Sequence, residues 1–153
     1  MLAIKTRKYI QATIEAPPSK SYTNRALVIA SLAKGKSILK NPLFSDDTKY
    51  MIFGLKQFGI RIKRKSNDLI VYGRSGKFIQ PKNQIFAGNA GTTMRFLTAL
   101  SSLVEGQTII TGDKRMLQRP MGNLLDVLLQ LGIRSESSDD FAPVKIYGGT
   151  FNG

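Results

Sequence analysis

The chain has 153 residues, of which 42% are hydrophobic, with 23 Lys and Arg against 10 Asp and Glu and with no Cys and no His. This composition fits one folded domain and excludes disulfides, thiolate chemistry, Cys/His zinc sites and imidazole catalysis. We find no signal peptide and no apolar run near the ~20 residues of a membrane helix, so we expect no metal and a cytoplasmic location. The net charge of +13 suits small anionic substrates or nucleic acid.

The first half of the chain predicts two helices and four short strands. A first strand is expected within residues 8–16 and ends at Pro17. The helices are expected over 21–34 and from about 45 to 58, and the other strands over 37–41, 60–64 and 69–72. Ser19 and Ser21 are both candidate N-caps of the first helix, and Ser45 caps the second with Asp46 and Asp47 beside it.

The first helix has an unusual combination of charge and apolarity. Lys20 lies at its start and Arg25 about one turn inside, followed by the almost wholly apolar stretch 26–33. Free N–H groups and two cations form an anion site, and an apolar helix is expected to be buried. A buried cation is costly unless an anion meets it, so we expect this helix to open onto a cleft for an anionic ligand. The alternative is a capped surface helix whose cations are solvated.

The same order of motifs occurs twice along the chain. Segments about 70 to 75 residues apart correspond to one another, which indicates internal duplication. The corresponding segments are 24–38 with 94–109, 55–61 with 128–134, and 72–73 with 147–148. The sequence therefore predicts two β-α-β-α-β-β units, over residues 17–75 and 76–149.

The second unit has a glycine-rich helix start, Gly88 to Thr92, at the position equivalent to Lys20. A further helix is predicted to begin near Arg119, with Pro120 at its first position. Helix starts in equivalent places indicate a shared anion cleft. We therefore expect Lys20, Arg25, Gly91 and Arg119 to converge, and helices 21–34 and 92–104 to be among the most buried elements.

Together these motifs resemble the EPSP synthase (3-phosphoshikimate 1-carboxyvinyltransferase) family. They are Pro18-Ser19-Lys20-Ser21-x-x-Asn24-Arg25-Ala26, Ser45-Asp46-Asp47, Gly88-Asn89-Ala90-Gly91-Thr92 and Arg119-Pro120. The resemblance implies an α/β enolpyruvyl transferase fold, which is an inverted α/β barrel-like arrangement with helices inside and sheets outside. It also implies transfer of the enolpyruvyl group of phosphoenolpyruvate to shikimate 3-phosphate, with release of phosphate, on the shikimate pathway to chorismate and aromatic amino acids.

The resemblance also implies the roles of individual residues. Shikimate 3-phosphate is expected to contact Lys20, Ser21 and Arg25, and phosphoenolpyruvate is expected to contact Lys20, Asn89, Gly91, Thr92 and Arg119. No cofactor is implied. Pro18 and Thr93 stand where many members have Gly and Ala. The resemblance therefore leaves open whether the herbicide glyphosate, which competes with phosphoenolpyruvate in the family, inhibits this protein.

Members of this family are much longer than this chain. The resemblance therefore implies an N-terminal portion, without the third unit of the first domain and without the second domain. The catalytic residues are expected in that missing C-terminal part. We expect this part to be the partner of the chain, and we expect the full-length enzyme to be a monomer. The chain alone is expected to bind weakly and not to turn over.

Four other assignments compete with this one. The UDP-N-acetylglucosamine enolpyruvyl transferase family uses a reactive Cys, and RNA 3′-phosphate cyclases need a catalytic His. This chain contains no Cys and no His, which argues against both families. The charge permits a basic nucleic-acid-binding module, but no stacking aromatics alternate with the basic residues. A non-functional truncated remnant is the fourth. We expect no nucleic-acid and no membrane partner.

Overall fold

The structure is a computed structural model that describes residues 8–149. Within this range the chain forms four α-helices, one 3-10 helix (Met116–Gln118) and seven strands. The helices are α1 (Lys20–Leu32), α2 (Asp46–Gln57), α3 (Gly91–Ser101) and α4 (Gly122–Gln130). The strands are β1 (Lys34–Leu39), β2 (Arg61–Lys65), β3 (Asp68–Arg74), β4 (Ile85–Phe86), β5 (Gly106–Thr111), β6 (Arg134–Ser138) and β7 (Phe141–Gly148).

The strands form two sheets with matching strand orders. The first has the strand order β1-β3-β2 and is antiparallel throughout. The second has the order β4-β5-β7-β6, in which β4 runs parallel to β5 and the other pairs are antiparallel. The strands β5, β7 and β6 therefore repeat the arrangement of β1, β3 and β2.

Equivalent glycines explain why this repeat is visible in the sequence. A Cβ on Gly73 would overlap the carbonyl oxygen of Ala33 at the end of α1, and a Cβ on Gly148 would overlap that of Ser101 at the end of α3. Only glycine permits the helix end to approach the strand backbone this closely. The close approach fixes α1 and α3 in the same position relative to their sheets.

The helices pack against each other on the inner faces of the two sheets, which confirms the predicted inside-outside arrangement. Leu55 of α2 and Leu97 of α3 are fully buried, and Gly54 lets the Leu97 side chain lie directly on α2. On β2 only Ile62 faces inward, while its basic neighbours are exposed. No helix within residues 8–149 is long and apolar enough to cross a membrane.

The prediction of a strand within residues 8–16 is wrong. Residues 9–19 join neither sheet, and Tyr9, Ile10 and Ile14 are exposed. Alternation of apolar and polar residues indicates that a segment can pair, but a strand also needs a neighbour for its backbone groups. Residues 8–149 supply no such neighbour.

The predicted burial holds for α3 but not for all of α1. Seven of the eleven residues of α3 are buried, whereas α1 buries five of thirteen, and Ile29 is 67% exposed. An apolar surface is buried only if another element covers it, and nothing in the described range covers this side of α1.

The helix predicted near Arg119 begins later than expected. Its first residue is Gly122, and Pro120 forms a β-bridge with Phe141 instead of opening the helix. The second helix with its Ser45 cap and the hairpin that turns at Ser66 and Asn67 agree with the prediction.

We predict that Gly148→Ala destabilises the chain, because the new methyl group would displace the end of α3 from β7. Overpacking of this kind costs about 1–3 kcal/mol of unfolding free energy, which urea denaturation measures. Gly73→Ala should cost a similar amount at the equivalent place. Unchanged stability in both variants would contradict the close-approach explanation of the repeat.

We predict a pH-dependent contribution to stability from Glu136. Lys145, Tyr147 and Arg134 all hydrogen-bond its carboxylate and hold its pKa below the ordinary value of 4.5. A lowered pKa means that this contribution is complete above about pH 4.5 and is lost as the pH falls through the lower, folded-state pKa.

Chemical denaturation should therefore show that Glu136→Gln is less stable than the native chain at pH 7, with the difference shrinking towards pH 3. Glu105→Gln is the matched control, since Glu105 is exposed and forms no ion pair within residues 8–149. A difference in stability between Glu136→Gln and the native chain that does not change with pH would show that the carboxylate charge is not the source of the stabilisation.

Candidate functional site

A polar cleft of about 440 Å³ lies where α1, α2 and α3 begin. Each helix start carries a partial positive charge, so the cleft gathers three of them. Its lining residues are Lys20, Asp47, Asn89, Gly91, Thr92, Arg95 and Arg119.

The start of α1 places Lys20 in this cleft. Ser19 is the N-cap, and its hydroxyl accepts a 3.4 Å hydrogen bond from the N–H of Tyr22. Lys20 is thus the first helical residue, and its Nζ lies 2.9 Å from Oδ2 of Asp47. The ion pair is partly solvent-exposed, so it orients the lysine more than it stabilises the fold.

The start of α2 contributes Asp47, for which the sequence favoured the role of a helix-dipole residue over a catalytic or metal-binding role. Ser45 provides the cap in a capping box with Thr48, so Asp47 is free to turn towards Lys20. The buried hydroxyl of Thr93 donates a 3.0 Å hydrogen bond to the Asp47 carbonyl and so ties α2 to α3. Asp46 points elsewhere and pairs with Lys49.

The start of α3 has no side-chain cap. Its N-cap residue is Ala90, which has no side-chain oxygen to accept the first N–H groups. The Oδ1 atom of the neighbouring Asn89 is also buried without a hydrogen-bond partner in the described part of the chain. Unused donors and an unused buried polar atom at the same helix start are the features of a ligand site.

Arg119 reaches the same helix start from the segment after the 3-10 helix. A Cβ on Gly91 would lie 2.7 Å from Nη1 of Arg119, so the guanidinium covers the glycine directly. Arg95, one turn along α3, donates to the Gly91 carbonyl at 3.3 Å and to the Pro120 carbonyl at 2.9 Å.

The charges of the cleft favour an anion. Lys20, Arg95 and Arg119 face a single carboxylate, Asp47, and neither arginine forms an ion pair within residues 8–149. Guanidinium groups bind carboxylate and phosphate through paired hydrogen bonds. The same range contains no group of three or more acidic side chains that could hold a metal ion.

The structure brings most of the predicted site residues together. The expected convergence is confirmed for Lys20, Gly91 and Arg119, and it is wrong for Arg25. The Arg25 guanidinium donates to the Ser21 carbonyl at 3.2 Å and lies 5.9 Å from the ring of Phe96, outside the lining of the cleft.

Two lining residues, Asp47 and Arg95, were not predicted as part of the site. The repeat carries a signal for Arg95, since it occupies the position equivalent to Arg25. Nothing in the local sequence distinguishes Asp47 from Asp46, because the difference lies in which one faces Lys20.

Solved structures of similar fold come from enolpyruvyl transferases. An EPSP synthase from Acinetobacter baumannii superposes with a TM-score of 0.84 at 24% identity, over 89% of this chain and 32% of that one. The enolpyruvyl transferase NikO from Streptomyces tendae gives a TM-score of 0.53 at 15% identity, over 82% of this chain and 30% of that one. These likenesses define the fold class.

Sequence comparison is more specific. Residues 4–153 match the family "EPSP synthase (3-phosphoshikimate 1-carboxyvinyltransferase)", and the chain belongs to this family. It is 38% identical to the 3-phosphoshikimate 1-carboxyvinyltransferase of Methanothermobacter thermautotrophicus and 44% identical to that of Buchnera aphidicola. The matches cover 99% and 97% of this chain, but only 36% and 35% of those relatives, so the chain spans about a third of their length.

We predict that Asp47→Asn strengthens the binding of inorganic phosphate to the cleft. The change removes the one carboxylate that opposes an anion there, and a unit charge a few ångströms away is worth about 1 kcal/mol, or about fivefold in affinity. Titration followed by ¹⁵N–¹H spectra measures the affinity.

Asp46→Asn is the matched control, because it removes a carboxylate from the same helical turn but outside the cleft. It should leave phosphate affinity nearly unchanged. Equal effects of the two substitutions would show that phosphate responds to total charge rather than to this cleft.

Proposed function

We propose that the cleft binds phosphoenolpyruvate and forms one side of an enolpyruvyl transfer site. In the reaction a hydroxyl oxygen of shikimate 3-phosphate loses its proton to a base and bonds to C2 of phosphoenolpyruvate, while the methylene carbon gains a proton from an acid. The C2–phosphate oxygen bond then breaks, phosphate leaves, and loss of a proton from the methyl group restores the double bond. The uncapped start of α3 beneath Arg119 is the observation that carries this proposal.

Phosphoenolpyruvate carries a phosphate and a carboxylate, and the cleft offers separate groups for each. The N–H groups at Gly91 and Thr92 supply donors from the helix start, and Lys20 and Arg119 supply positive charge. The amide of Asn89 supplies a further polar group. Gly91 leaves space for the Arg119 guanidinium, so the ligand would meet that guanidinium and the free N–H groups of the helix start side by side.

Shikimate 3-phosphate is proposed to bind along the start of α1. Ser21 is next to Lys20 and Arg25 lies about one turn further along the helix, and both are exposed. The guanidinium of Arg25 uses one N–H on the Ser21 carbonyl, which leaves four donors for a phosphate. Lys20 would then contact both substrates, because it stands between this surface and the cleft.

The described residues supply binding groups but no pair of groups for proton transfer. Asp47 is the one carboxylate in the cleft, and it is engaged with Lys20. We therefore propose that the acid and the base come from the length of the relatives that this chain does not span, and that this segment is the chain's partner. A monomeric full-length enzyme in the cytoplasm remains part of this proposal.

A nucleic-acid-binding function would use the outer face of the first sheet, where Lys36, Arg61 and Lys63 are exposed. Tyr72 is the aromatic residue on this face, and the guanidinium of Arg61 lies 3.8 Å from its ring centroid. A covered ring is poorly placed to stack on a base. The geometry therefore favours the small-anion function.

The binding proposal is tested by titrating phosphoenolpyruvate into the ¹⁵N-labelled chain. We expect weak binding that shifts the amide signals of Lys20, Gly91 and Thr92. Arg119→Lys should weaken it at least about tenfold, because a charge-assisted hydrogen bond is worth roughly 1.5–3 kcal/mol.

Arg74→Lys is the matched control, since Arg74 is an exposed arginine on β3, outside the cleft. Shifts of amide signals confined to β1 and β2, or equal losses of affinity in the two variants, would contradict the proposed site.

Phosphate release from the two substrates should be undetectable for the chain alone and should require the rest of the enzyme.

A further inference from the structure

We infer that Arg95 is the positioning residue that holds Arg119 above the start of α3. This inference rests on the proposed function, since it assigns a role in the binding of phosphoenolpyruvate. Arg95 would act through Arg119.

Arg95 joins two segments that are far apart in the chain. Its Nη1 donates to the carbonyl of Gly91, the first residue of its own helix, at 3.3 Å, and its Nη2 donates to the carbonyl of Pro120 at 2.9 Å. Pro120 directly follows Arg119, so this second bond fixes the backbone from which the Arg119 side chain projects. One planar guanidinium therefore sets the distance between the helix start and the Arg119 segment.

No side-chain contact of Arg119 itself fixes the position of its guanidinium. In residues 8–149 its side chain makes no ion pair and no hydrogen bond, and the residue is exposed. Yet its Nη1 lies 2.7 Å from the point where a Gly91 Cβ would be, and Arg95 Nη1 lies 3.3 Å from the same point. The guanidinium that covers Gly91 is thus located by its backbone. The bridge between Pro120 and Phe141 holds that backbone to β7, and Arg95 ties it to the start of α3.

Only an arginine can make this bridge. A lysine ammonium is a compact charge on a flexible stem, whereas the guanidinium presents donors in a rigid fork that can reach two carbonyls at once. Holding a binding group in its productive position before the ligand arrives reduces the entropy lost on binding. A lysine at position 95 would keep the positive charge but would not hold the Arg119 segment in place.

The test compares Arg95→Lys with Arg95→Gln in phosphoenolpyruvate titrations of the ¹⁵N-labelled chain, with Arg74→Lys as the control. For a positioning residue we expect both Arg95 variants to weaken binding by about tenfold, with the lysine variant no better than the glutamine variant. Arg95→Lys combined with Arg119→Ala should bind no worse than Arg119→Ala alone, because the two residues act as a unit.

A lysine variant that binds like the native chain while the glutamine variant is weakened would overturn the inference, since charge would then be sufficient. Additive losses in the double variant would overturn it too. A second readout needs no ligand: the Nε–Hε signal of Arg119 should shift towards that of a freely mobile arginine in Arg95→Lys, with far-UV circular dichroism unchanged. If the native chain fails to bind phosphoenolpyruvate, the proposed function fails, whereas an unchanged Arg119 signal contradicts the positioning role itself.

Discussion

The free N–H groups at the start of α3 are the constraint around which the site is arranged. Serine hydroxyls cap α1 and α2, but Ala90 cannot cap α3, so this helix start keeps unused donors next to Lys20 and two arginines. An uncapped helix start leaves its first N–H groups without a hydrogen-bond partner from the helix itself. Such a local departure from good capping is expected where a protein binds an anion.

The duplicated unit explains how the helix starts come to face one cleft. Gly73 and Gly148 fix the ends of α1 and α3 against equivalent strands, so the beginnings of both helices emerge in equivalent positions. Leu97 packs into the space left by Gly54 and sets α2 against α3, while Thr93 ties their first turns together. Packing thus delivers Lys20, Asp47 and Gly91 to the same place although they are distant in sequence.

The sequence was sufficient for the parts of the fold that depend on local chemistry. The Ser45 cap, the hairpin turn at Ser66 and Asn67, and the duplicated order of elements could all be predicted from residue types and spacing. The absence of a strand within residues 8–16 and the partial exposure of α1 could not, because each depends on whether another segment pairs with or covers the element. In the site, spacing predicted Lys20, Gly91 and Arg119, but the inclusion of Asp47 and the exclusion of Arg25 depend on side-chain direction.

The most direct measurement is a crystal structure of this chain grown with phosphoenolpyruvate. We predict electron density for the ligand at the start of α3, with one anionic group within hydrogen-bond distance of the Gly91 or Thr92 N–H and of the Arg119 guanidinium. Lys20 should approach the same ligand. A ligand bound instead on the basic strands β1 and β2, with the start of α3 occupied only by water, would contradict the assignment of this cleft as the anion site.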